Sequence, residues 1–123
     1  MKRTYRLRRP DQFQRVRREG RTLSSSLLLL NHAPSRRRQT RCGIVVSRHI
    51  GGAVQRNRAK RRVREAIRLV FAAIPRGYDL VFIIRSPSVA EVPFTLLQST
   101  VTDLLRRAGL WQERLSVDNQ QGQ

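Results

Sequence analysis

Tyr78-Asp79-Leu80-Val81-Phe82-Ile83-Ile84-Arg85 is a near-continuous apolar run, the pattern of a strand buried on both faces. Pro75-Arg76-Gly77 before it and Ser86-Pro87-Ser88 after it punctuate its ends. Upstream, over residues 53–73, the apolar spacing changes to helical. Ala59, Val63, Ala66, Ile67 and Val70 fall on one stripe roughly 100° wide, and the remaining faces are almost entirely arginine and lysine. Gly51-Gly52 separates this helix from a strand expected over residues 40–48. The strand, helix, strand passage through residues 40–85 indicates an α+β sandwich in which helices pack on a sheet.

Toward the N-terminus, residues 10–20 read as a short helix. Pro10 suits its first position, Gly20 suits the residue past its end, and Phe13 and Val16 share a face. A leucine run, Leu27-Leu28-Leu29-Leu30, lies in a strand within residues 22–32, and Ser24 to Ser26 fit either a further strand or a loop. Residues 33–39 form a turn, so the leucine strand and the strand from Thr40 are most simply an antiparallel pair. A last helix opens around Pro93, sets Phe94, Leu97, Val101, Leu104, Leu105 and Ala108 at helical spacing, and stops at Gly109. No repeat or linker divides the chain. It reads as one domain over residues 1–111, followed by a polar, flexible tail over residues 112–123.

The 123 residues carry 26 Lys plus Arg against 8 Asp plus Glu, a net charge of +18. Such an excess repels itself in isolation and calls for a polyanionic partner. The apolar share is 39% but is gathered into runs, which argues for a folded domain over a disordered basic tail. Cys42 is the only cysteine, which excludes an internal disulfide and a cysteine zinc cluster and fits the reducing cytoplasm. The basic start is followed by polar sequence, not the apolar segment of an export signal. No run approaches the roughly 20 apolar residues of a membrane span.

Function concentrates in Val54-Gln55-Arg56-Asn57-Arg58-Ala59-Lys60-Arg61-Arg62-Val63-Arg64-Glu65-Ala66-Ile67-Arg68. Arg58, Arg61, Arg64 and Arg68 sit opposite the apolar stripe, so one face docks while the other presents a row of forked donors to successive phosphates. An ordinary solvent face mixes signs, and here Glu65 is the only acid. Arg56 lies nearer the apolar stripe, where it either caps the first turn or reaches past the sheet edge. Asn57 suits either a cap or a ribose or phosphate contact.

Residues 51–65, Gly51-Gly52-Ala53-Val54-Gln55-Arg56-Asn57-Arg58-Ala59-Lys60-Arg61-Arg62-Val63-Arg64-Glu65, with their Arg-Asn-Arg core, resemble the signature of the protein subunit of bacterial ribonuclease P. Gly43-Ile44-Val45-Val46-Ser47-Arg48-His49-Ile50, Asp11-Gln12-Phe13-Gln14-Arg15-Val16 and the strand over residues 79–85 resemble the same family in the same order. The likeness spans residue 2 to about residue 111. It implies a helix-strand-strand-strand-helix-strand-helix sandwich of two layers with a left-handed βαβ crossover, where periodicity alone suggests the usual right-handed one. It also implies a ribonucleoprotein endonuclease that removes the 5′ leader of precursor tRNA, with catalysis carried by the RNA subunit. By the same resemblance, Arg48, Arg56, Asn57, Arg58, Lys60, Arg61, Arg62, Arg64 and Arg68 would hold ribonuclease P RNA. A cleft between the first helix and the sheet, with Phe13, Arg15, Arg17 and Leu28, would hold the leader. Arg17, Leu28 and Asn31 stand where the family often has aromatics, and Gly52 replaces a usual asparagine. Phe13 is either a stacking platform, contributing about 1–3 kcal/mol per base, or an ordinary core residue.

Phosphodiester hydrolysis by a protein usually needs clustered carboxylates on magnesium or a histidine acid–base pair. The acids here are scattered and His32 and His49 have no patterned partner, so the protein is not expected to be catalytic by itself and magnesium is expected on RNA phosphates. No obligate protein partner is indicated. Two rivals share the charge and size. A structural ribosomal protein needs no leader cleft, and a DNA-binding regulator needs base-reading side chains where this helix shows phosphate-type donors.

Overall fold

The computed structural model describes residues 5–113. The elements run α1 (Pro10–Glu19), β1 (Arg21–Ser24), β2 (Leu28–Pro34), β3 (Arg41–Val46), α2 (Ala53–Val70), β4 (Tyr78–Ile84) and α3 (Phe94–Arg107), with single 3-10 turns at Arg48–Ile50, Phe71–Ala73 and Pro87–Ala90. This is the expected α+β order, and Arg21–Ser24 resolves the serine stretch partly into a short strand.

The four strands are ordered β1-β2-β4-β3. β2 is antiparallel to β4, with Leu30 opposite Phe82, and β3 is parallel to β4, with Ile44 opposite the same Phe82. The antiparallel pairing expected between the leucine strand and the strand from Thr40 is therefore corrected: β4 lies between them. The reason is burial. β4 is apolar on both faces and loses most water in the middle of the sheet, whereas a pattern of turn residues cannot reveal that a later strand inserts.

Successive β4 side chains alternate between two cores. Leu80, Phe82 and Ile84 join Leu28, Leu30, Cys42 and the apolar stripes of α2 and α3 in the larger one. Val81 joins Leu7, Val16 and Ala33 in a smaller cluster, with Phe13 and Ile83 against it, under α1. Of the α2 stripe, Ala59, Val63, Ala66 and Ile67 are fully buried, and a buried Val or Ile side chain stabilises the packing by about 1.5–3 kcal/mol. Burial, followed by the nearby Asp79 carboxylate, pushes the Cys42 thiol up from its ordinary value. Cys42 is thus an inert core residue.

Asp79 is the exception in β4. It points to the α1 side, fully buried, and Arg41 grips it with Nε on Oδ1 and Nη2 on Oδ2, both at 3.0 Å. Arg15 of α1 donates to the same carboxylate, to Glu19 at 3.1 Å and to the Pro34 carbonyl at 3.3 Å. This triad fastens α1 to the sheet.

Gly20 follows α1 as expected, but for a different reason. Its backbone is extended (φ −98°), and a Cβ there would stand 2.2 Å from the His32 carbonyl oxygen. Glycine serves close passage of β2, not a left-handed turn. At the other end, Gln112 N–H donates to the Ala73 carbonyl at 2.7 Å and Glu113 pairs with Arg106 at 3.1 Å. These two tail residues are thus tied down, and residues 114–123 lie outside the described residues.

Candidate RNA interface

β3 is an edge strand, and the N-terminal segment partly covers it. Leu7 N–H donates to the Cys42 carbonyl at 2.9 Å, and Arg6 bridges Cys42 in parallel. The segment anchors through buried Leu7 and carries Arg6 and Arg8 beside α2. Here α1, β3 and α2 surround an open cleft of about 510 Å³, walled by Arg6, Arg8, Lys60 and Arg64 with Phe13, Gly43 and Ile44 among its apolar surface.

Phe13 lies directly on the β3 backbone. A Cβ on Gly43 would come within 2.4 Å of its ring, so this glycine makes room for the aromatic. The ring is half-buried, resting on the smaller core and also facing the cleft. One side of the residue packs on the smaller core and the other lines the cleft.

Lys60 and Arg64 are one turn apart on α2 and line the same wall. Partial burial, and then the nearby Arg6, lower the Arg64 guanidinium from its ordinary value. Crowded, partly desolvated positive charge of this kind attracts an anion more strongly than the same charges spread through water. Around the helix from this wall, Asn57, Arg58 and Arg61 are exposed. Because Gly52 is the N-cap of α2, Asn57 is already in the second turn. The capping alternative falls away, and its amide is presented to solvent.

Several expected contact residues are otherwise engaged. Leu28 is corrected: it is fully buried in the larger core, on the sheet face opposite α1, because an even number of residues from Leu30 keeps both on one face. It is absent from the cleft. Arg15 is held by Asp79 and serves to fix α1, not to line the cleft. Arg62 donates to the Val89 carbonyl at 2.7 Å and to the Val92 carbonyl, clasping the turn before α3. Arg68 and Glu65 form a close pair at 2.6 Å, which raises the Arg68 guanidinium and lowers the Glu65 carboxyl through their mutual hydrogen bond. Arg56 is half-buried and donates to the Gly51 carbonyl at 2.8 Å, bracing the loop that carries exposed Arg48. Arg17 is exposed on α1, one turn beyond Phe13.

The reading of the sequence missed Arg6 and Arg8, whose role depends on the N-terminal segment joining β3. The one available sign was Leu7, an apolar residue set between Arg6 and Arg8 in the basic start. It also missed Asp79 as the anchor of α1, for which an acid inside a doubly buried strand was the visible sign.

The Ribonuclease P family model matches residues 1–109. The chain is 63% identical over 110 residues to the ribonuclease P protein component of Chloroflexus aurantiacus, covering 89% of this chain and 82% of that protein. It is 57% identical over 116 residues to that of Roseiflexus castenholzii, covering 94% and 95%. Among solved structures, the RNase P protein of Thermotoga maritima superposes with a TM-score of 0.75 at 33% identity, covering 83% of this chain and 96% of that one. The Staphylococcus aureus RNase P protein gives 0.78 at 25% identity, covering 88% and 98%. With the family model matching residues 1–109 and these relatives covering 89% and 94% of it, the chain belongs to the ribonuclease P protein family.

Proposed function

We propose that this chain is the RNA-binding subunit of a ribonuclease P particle, holding the catalytic RNA and the 5′ leader of precursor tRNA while the RNA cuts the phosphodiester bond. The observation that carries the leader assignment is the cleft of Phe13, Arg6, Arg8, Lys60 and Arg64: an aromatic face beside a basic wall is what a single strand needs. Arg58, Arg61 and Asn57, exposed along α2, fit the phosphates and sugars of the larger RNA. Arg48, exposed on its 3-10 turn, adds one more outward cation.

The side chains of this interface do not fit a divalent cation. They are cations or neutral groups, and Asp79, Glu19 and Glu65 are each held by arginine. Magnesium therefore belongs to RNA phosphates. The chain's own contribution is to neutralise backbone charge and fix the substrate, which lowers the magnesium needed for cleavage. Cytoplasmic placement follows from this role; no helix of the described residues is long and apolar enough to cross a membrane.

Reconstitution tests the proposal. Adding the chain to ribonuclease P RNA and precursor tRNA at low magnesium should raise cleavage at the mature 5′ end. A structural ribosomal protein would leave that rate unchanged. Phe13→Ala should weaken binding of leader-bearing precursor by about tenfold, within the 1–3 kcal/mol of a lost base stack, and barely affect mature tRNA. Comparative titration of the two RNAs checks this, since equal losses would make Phe13 purely a core residue.

A further inference from the structure

Beyond the cleft, at the far end of α2, lies a second recess of about 320 Å³ between the N-terminal segment, the start of β3 and the residues that follow α2. Its aromatic wall is Tyr5 against Phe71, with ring centroids 5.1 Å apart and planes tilted by 40°. Both residues are half-buried and line the recess. Arg38 and Arg76 stand at its rim, exposed, and no ion pair among the described residues engages either one.

The surroundings of the recess are fixed. Thr40 Oγ1 donates to the Pro75 carbonyl at 2.6 Å and accepts from Tyr78 N–H at 3.2 Å, joining the start of β3 to the turn before β4. Gln112 N–H holds the Ala73 carbonyl at 2.7 Å and places its own side chain at the wall. The combination is an aromatic platform, two free guanidinium forks and an amide capable of both donating and accepting.

Position links it to the cleft. Tyr5 adjoins Arg6 of the cleft wall, and Phe71 follows Arg64 by seven residues, a rise of about 10 Å along a helix. That is a separation of one or two nucleotides in an extended single strand.

We propose that this recess is a second RNA subsite, which takes one nucleobase of a single strand against Tyr5 and Phe71 and its flanking phosphates on Arg38 and Arg76. The proposal rests on the reading of the chain as an RNA-binding subunit and extends the contact surface past the cleft. Stacking accounts for the aromatic wall, which phosphate binding alone does not need. The strand comes either from the leader or from the catalytic RNA.

The test uses the full chain with oligoribonucleotides carrying 2-aminopurine at successive positions, in a leader sequence and in single-stranded segments of ribonuclease P RNA. In one of the two RNAs, emission should be quenched by stacking at a position distinct from that seated at Phe13, and that RNA is then the source. Tyr5→Leu keeps an apolar side chain, so it should preserve the thermal melt, relieve the quench and weaken binding about tenfold, as loss of one base stack requires. Arg76→Ala should weaken the same RNA and reduce its salt dependence. Binding within twofold of wild type for both variants, with no Tyr5-dependent quench, overturns the subsite. If Lys60→Ala with Arg64→Ala still weakens those RNAs, the cleft reading survives that result; if it does not, both fail.

Discussion

Asp79→Asn is expected to lower the stability of the fold by about 3 kcal/mol, the lower end of the cost of breaking a buried ion pair. The substitution keeps the shape of the side chain and removes the charge that two guanidinium groups share. Asp79 is fully buried, while the Arg15 and Arg41 side chains keep 16% and 12% exposure, so water relieves part of the loss. For a domain of this size about 3 kcal/mol corresponds to roughly 10–20 °C in melting temperature. A thermal melt followed by circular dichroism reads it directly. Glu19→Gln, which removes only the exposed outer partner of Arg15, should shift the melt far less. A loss under about 1 kcal/mol for Asp79→Asn would mean that apolar packing alone holds α1. The consequence for function is positional: α1 carries Phe13, so loosening its anchor displaces the aromatic face of the cleft.

Lys60→Ala combined with Arg64→Ala is expected to weaken binding of leader-bearing precursor tRNA by about 100-fold. Each side chain lines the cleft wall, and removing a hydrogen bond to a charged group costs about 1.5–3 kcal/mol. The two together reach the hundredfold range even if they are not fully additive. Neither residue belongs to the buried stripe of α2, so the melting temperature should hardly move. Filter binding or fluorescence titration at fixed salt measures the change. A weakening of less than threefold would place the leader elsewhere.

Much of this architecture was legible in the chain because burial writes itself as periodicity. The stripe from Ala59 to Ile67, the doubly apolar β4 and the α3 spacing from Phe94 to Leu105 each name their element and their buried face. Pairing was less legible. Which strand neighbours which depends on contacts far apart in sequence, and a turn over residues 33–39 looks the same whether the next strand is adjacent or one place removed. The positive face of α2 was legible as composition, but its division of labour was not. Arg58, Arg61, Arg62 and Arg68 read alike in sequence. Only the fold shows that Arg62 holds two carbonyls before α3, that Arg68 is matched to Glu65, and that Arg58 and Arg61 are left outward. Leu28 illustrates the period-two rule from the other side: one position along β2 separates the face under α1 from the larger core.

The most direct measurement is the salt dependence of binding to ribonuclease P RNA. Arg58→Ala and Arg61→Ala should each reduce the slope of log affinity against log salt by about 0.7–0.9, one counterion-releasing contact apiece. The charge-neutral exchange Glu65→Gln with Arg68→Gln should leave that slope at the wild-type value. Wild-type slopes for both arginine variants, in folded protein, would contradict the assignment of the exposed α2 row to RNA.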